Sequence, residues 1–92
     1  MNKITIRVTA PLRKFTGGRD DITLDAASVG DALSALCKTY PDLNGRILSA
    51  DGSLRDFINV FIGKKNIRAL EGLSTPTVSG DVLSIASPFS GG

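Results

Sequence analysis

Residues 3–9, KITIRVT, place Ile4, Ile6 and Val8 on every second position. That period of two predicts a half-buried strand, with Pro11 ending it. TGGRD at 16–20 reads as a turn, and Ile22 and Leu24 within DITLD at 21–25 resume the alternation. The two segments predict a hairpin with a loose loop. The period then changes. Val29, Ala32, Leu33, Leu36 and Tyr40 recur at helical spacing. Ser28 stands where its hydroxyl can cap the first turn, Asp31 follows three residues on as a variant capping box, and Pro41 stops the helix. After it, Leu43, Ile47 and Leu48 suggest a short packed segment, and Asp51-Gly52 a turn. The most apolar run is FINVFI at 57–62. GKKN at 63–66 turns it into a short strand at 66–69, residues 72–75 make one tight helical turn, and Gly80-Asp81 leads into a last strand at 82–86.

The predicted order is β-β-α-β-β-β, with the helix as the crossover from the hairpin to the later strands. One helix covers only one face of a sheet. The expected class is α+β, a β-grasp (ubiquitin-like) fold with a mixed sheet and one main helix packed on one face. Alternation within 57–62 sends Ile58, Val60 and Ile62 to one side and Phe57 and Phe61 to the other, around Asn59. One set faces the helix. The other, Phe57 with Phe61, is read as a docking patch, with burial under the 43–56 loop as the structural alternative. Arg68, placed on the fourth strand, is a candidate contact to an acidic partner surface.

Composition narrows the chemistry. The chain has 92 residues, room for one domain, and its 41% hydrophobic and 22% charged residues are an ordinary globular balance. There is no His and one Cys, so no imidazole base, His metal ligand, internal disulfide or Cys-rich zinc site is available. No catalytic constellation or metal site is expected, and a stand-alone enzyme is disfavoured. A net charge of +2, no basic run longer than two residues, and only four Phe and one Tyr argue against nucleic acid. No apolar run approaches the roughly 18 residues needed to span a bilayer, and the N-terminus has no signal-peptide pattern. The expectation is a cytoplasmic protein without membrane association. Cys37 reads as a small packed helix residue. Thr16-Gly17-Gly18-Arg19 precedes a strand instead of opening a helix, so it reads as a turn, not a phosphate loop.

The sequence closes on Pro88-Phe89-Ser90-Gly91-Gly92. The expected layout is a β-grasp domain at 1–87 and a flexible tail at 88–92. Pro88 lacks a ladder donor and stops the sheet. Gly91 and Gly92 have no Cβ, so they suit a narrow channel in another protein. The reactive group of such a tail is the Gly92 carboxylate.

These features resemble the MoaD/ThiS family of ubiquitin-like sulfur carriers. The resemblance rests on Gly80-Asp81-Val82-Leu83-Ser84-Ile85 followed by Pro88-Phe89-Ser90-Gly91-Gly92, on the Tyr40-Pro41 helix end, and on Asn66-Ile67-Arg68 with Gly72-Leu73 and Thr75. The segment LRDFINVF at 54–61 and the longer loop before it are most similar to the CysO-like branch. Phe89-Ser90 stand where the family often carries small aliphatics, a departure that bears on which partner channel takes the tail. The resemblance implies a carrier that binds no cofactor itself. A ubiquitin-activating-type adenylating enzyme would adenylate Gly92 with MgATP, a sulfur donor would convert it to a thiocarboxylate, and a sulfur-accepting synthase would take the sulfur. Residues 88–91 would thread the partner. Cysteine-type biosynthesis is the favoured destination and molybdopterin the next. The alternatives are a protein modifier joined through Gly92 to lysines and a β-grasp interaction module with an inert tail.

Overall fold

A computed structural model describes residues 2–86. Five strands form one sheet: β1 (Asn2–Val8), β2 (Asp21–Ala26), β3 (Asn59–Ile62), β4 (Lys65–Asn66) and β5 (Val82–Ala86), in spatial order β2-β1-β5-β3-β4. β1 and β2 form the predicted hairpin, in register from Asn2↔Ala26 to Arg7↔Asp21. β5 enters the middle of the sheet. It runs parallel to β1, from Thr5↔Val82 to Val8↔Ile85, and antiparallel to β3, from Asn59↔Ala86 to Ile62↔Leu83. The sheet is therefore mixed, with α2 (Val29–Thr39) on one side, the β-grasp arrangement.

The core lies between that helix and the inward rows of the strands. Ile4, Ile6, Val8, Val60, Leu83 and Ile85 meet Val29, Ala32, Leu33 and Leu36, and all of them are buried. The helix start follows its sequence signal: the Ser28 hydroxyl accepts the Asp31 N–H at 3.2 Å. The Val29 N–H donates to the Thr75 carbonyl at 2.9 Å, and the Thr77 hydroxyl donates to the Ala26 carbonyl at 2.8 Å. These bonds fasten the helix entry to the chain just before β5. Gly30 permits that approach, since a Cβ there would stand 3.0 Å from the Leu73 carbonyl oxygen. Leu43 and Ile47 are both buried, so the stretch after the helix belongs to the core.

Three local expectations change. The hairpin connection begins with a short helix, α1 (Ala10–Arg13), where only a strand end and a turn were expected. The strand expected at 57–62 starts at Asn59, because the Ile58 N–H turns back to the Arg55 carbonyl at 3.0 Å. The strand expected at 66–69 stops at Asn66, and Ile67–Ala69 form a 3-10 turn. The Asn66 side-chain oxygen accepts the Arg68 N–H at 2.9 Å, a local bond that competes with the ladder, while Ile67 turns inward and is buried. Arg68 thus stands on a turn and not on a strand.

The packing predicts a sharp contrast along α2. Leu36→Ala should cost about 2–5 kcal/mol by the lost contacts and the cavity left behind. Ser34→Ala, on the exposed side of the same helix, should stay within about 0.5 kcal/mol. Urea denaturation of both variants measures the difference.

Candidate docking face and tail root

Residues opposite each other in register share a face, so the ladders define the side of the sheet away from α2. One row runs Asp21, Arg7, Ser84, Phe61, and its neighbour runs Thr23, Thr5, Val82. The face is charged toward β2, small-residued along β5 and aromatic toward β3. Arg7 Nε and Asp21 Oδ1 are 3.1 Å apart with both side chains about half exposed, so the pair adds little to stability. The Asp21 hydrogen bond, then its charge, raises the Arg7 pKa from its ordinary value.

The aromatic side holds the sequence-predicted patch. Ile58 and Val60 are buried, as their alternation requires. Phe61 is half-buried on the open face, opposite Ser84 on one side and Asn66 on the other. Phe57 precedes β3 and is 39% exposed. The 43–56 loop borders Phe57 without closing over it: Ser49, Ser53, Leu54, Arg55, Asp56 and Phe57 line a shallow groove. Within that loop the Asp51 carboxylate accepts from the Ser49 hydroxyl and from the Ser53 N–H, which hold its pKa down to about 2.

Arg68 comes to the same region from the sheet edge. Its Nη2 donates to the carbonyls of Ile58 at 2.8 Å and Arg55 at 2.9 Å, with a longer 3.3 Å contact to Asp56. Asn66 also donates from its amide nitrogen to the Asn59 side-chain oxygen at 3.2 Å. Asn59 is the register partner of Ala86, the end of β5. The structure therefore gathers Phe57, Phe61 and Arg68 around the beginning of β3. The remaining predicted site residues, Pro88, Phe89, Ser90, Gly91 and Gly92, lie outside the described residues.

Across β5 from that region is a feature the sequence reading missed. Arg13 Nε donates to the Val8 carbonyl at 3.3 Å, at the strand end beside Ile85. Phe15 is flanked by Lys14 Nζ at 5.2 Å and by the Arg46 guanidinium at 4.0 Å. The available signal was Pro11 one residue past Ala10, a helix-start pattern that places Arg13 and Lys14 just beyond the end of β1.

Cys37 sits elsewhere. It is on the core side of α2, 4% exposed, and burial pushes its thiol pKa up. A buried, protonated thiol is a poor nucleophile. Among the described residues, no group of His, Cys, Asp and Glu is arranged to hold a metal ion, and no helix is long and apolar enough to cross a membrane. The Cys37 environment predicts slow alkylation. Iodoacetamide should modify the native chain far more slowly than the urea-unfolded one, read by intact mass; equal rates would contradict the burial.

Comparisons with known proteins agree with this architecture. A profile of the ThiS family matches residues 6–92. The small archaeal modifier protein 1 of Haloferax volcanii is 39% identical over 89 residues, covering 94% of this chain and 97% of the relative. The sulfur carrier protein CysO of Mycobacterium tuberculosis is 28% identical over 91 residues, covering 97% and 98%. In the crystal structure of the Amycolatopsis orientalis BexX/CysO complex, the matching chain superimposes with a TM-score of 0.87 at 26% identity, covering 97% of this chain and 99% of that one. With its β-grasp sheet, its single main helix and a family match that runs through Gly92, this chain belongs to the ThiS family of ubiquitin-like proteins.

Proposed function

We propose that the protein is a sulfur carrier whose Gly92 carboxylate is activated and converted to a thiocarboxylate. The observation that carries this reading is the ThiS family match over residues 6–92, which takes in the Gly91-Gly92 pair beyond the central strand β5. The similarity to CysO, a protein named as a sulfur carrier, supports it.

The chemistry balances without a redox step when the sulfur source is hydrosulfide. A Gly92 carboxylate oxygen attacks the α-phosphorus of MgATP on an activating enzyme, and pyrophosphate leaves. Hydrosulfide attacks the carbonyl carbon of the acyl-adenylate, AMP leaves, and one proton is released. The product is a thiocarboxylate, whose anionic sulfur is a stronger nucleophile than the carboxylate oxygen. An acceptor enzyme takes that sulfur, and water restores the Gly92 carboxylate. The carrier is a co-substrate in this cycle, and MgATP is consumed by its partner. Cysteine-type biosynthesis is the favoured destination, in line with the CysO similarity.

Phe57 and Phe61 supply the apolar part of a docking face, with Arg68 at its margin. Residues 88–91 are assigned to the partner's channel. That a CysO relative is described in a complex with BexX supports recognition by a second protein.

A second reading has its own support. The 39% identity to a small archaeal modifier protein favours attachment of Gly92 to lysine amines. Both readings share the adenylate and differ in the final nucleophile.

Intact mass spectrometry after incubation with an activating enzyme, MgATP and sulfide should show a gain of about 16 Da, one oxygen exchanged for sulfur. The gain should vanish when Gly91-Gly92 are deleted. If a known carrier is converted under the same conditions and this chain is not, the carrier reading fails. A Gly92-dependent ladder of larger species on immunoblots would instead favour the modifier.

A further inference from the structure

The Arg68 side chain does the work of the missing end of β4. That strand pairs with β3 only at Phe61↔Asn66 and Ile62↔Lys65. Among the described residues, no strand pairs with residues 55–58. Arg68 Nη2 fills the gap at 2.8 Å from the Ile58 carbonyl and 2.9 Å from that of Arg55, with 3.3 Å to Asp56. One NH2 group has two hydrogens, so the longest of these contacts is a shared one. The same segment is anchored by the buried Ile58, by the Arg55 N–H to the Ile47 carbonyl at 3.0 Å and by the Ile58 N–H to the Arg55 carbonyl at 3.0 Å, and Arg68 adds the link from the β4 side. Asp56 and Phe57 are exposed. The Arg55 Nε is buried with no hydrogen-bond partner among the described residues, an unfavourable placement that must be offset nearby. The far end of the brace is also tied down, since the Arg68 N–H is held by the Asn66 side chain, which in turn reaches Asn59.

We propose that Arg68 is a positioning residue for partner recognition. Its guanidinium braces residues 55–58, and so sets Phe57 and Asn59 in place beside the end of β5 before any partner arrives. It acts through this segment and not as a charge offered to an acidic surface. The inference rests on the carrier reading for its consequence, but the brace itself is a property of the free chain.

Arg68→Lys separates the two roles, because lysine keeps the charge but offers one compact ammonium in place of a planar fork. Arg68→Ala removes both. Two measurements on the full chain are needed. Amide hydrogen exchange reads the brace at Ile58, whose N–H is bonded to Arg55, against β1 amides as the measure of global opening. Steady-state adenylation by a ubiquitin-activating-type enzyme reads recognition, with the carrier as the varied substrate. Both variants should speed Ile58 exchange about tenfold relative to β1. Both should raise the KM for the carrier about tenfold while leaving kcat within about twofold. Arg68→Lys matching the wild type in exchange and KM, while Arg68→Ala loses KM, would make the residue a charge contact and overturn the proposal. Faster exchange with unchanged KM would overturn it too, because the segment would then serve the fold alone. The exchange measurement judges the brace even for a chain that is never adenylated, so failure of the carrier reading is seen separately.

Discussion

The structure depends on one insertion: β5 between β1 and β3. Leu83 and Ile85 are fully buried and face both neighbours in register, Ile6 and Val8 on one side, Ile62 and Val60 on the other. Without β5 the hairpin and the β3–β4 pair would be two ribbons with open edges, each too small to hold its shape in water. With it, both become flanks of one sheet, and α2 has a continuous apolar surface to cover. The same strand carries the chain out toward Gly92. The stability of both flanks thus depends on the same short stretch of backbone.

That insertion leaves one side of the sheet without a helix among the described residues. With a single helical layer, half the sheet faces outward, and its composition changes across its width. Charged residues on β1 and β2 keep one margin solvated. Val82, Ser84 and Ala86 keep the middle low. Phe61 raises the other margin, and the exposed Phe57 precedes the strand that carries it.

Periodicity made most of this legible. The alternation of Ile4, Ile6 and Val8 and the helical spacing of Val29, Leu33 and Leu36 each report burial against a layer, and burial dominates the energetics. Ser28 announced its helix because its capping bond is local. Two other side-chain-to-backbone bonds gave no warning in the pattern. Asn66 ended a strand early by taking the Arg68 N–H, and Arg68 itself was read as a candidate contact to an acidic partner surface, with no sign of its bonds to carbonyls 10 to 13 residues earlier. No hydropathy window encodes a guanidinium reaching three carbonyls. α1 was missed for a different reason: four residues are too few to establish a period. Alternation put Phe61 on its face opposite Ser84, but it does not extend to Phe57, which precedes the strand, and the bordering loop could be placed only once Ile47 was seen in the core.

The parallel pairing of β1 with β5 also has a consequence for synthesis. Residues 5–8 must wait for residues 82–85, the longest sequence separation among the sheet's ladders. Contacts so far apart slow folding, because loop closure comes before the contacts that reward it. On the ribosome, the hairpin and α2 emerge with their apolar faces still lacking the strand that completes the sheet. A nascent chain that still lacks residues 82–86 therefore cannot join its two flanks into one sheet.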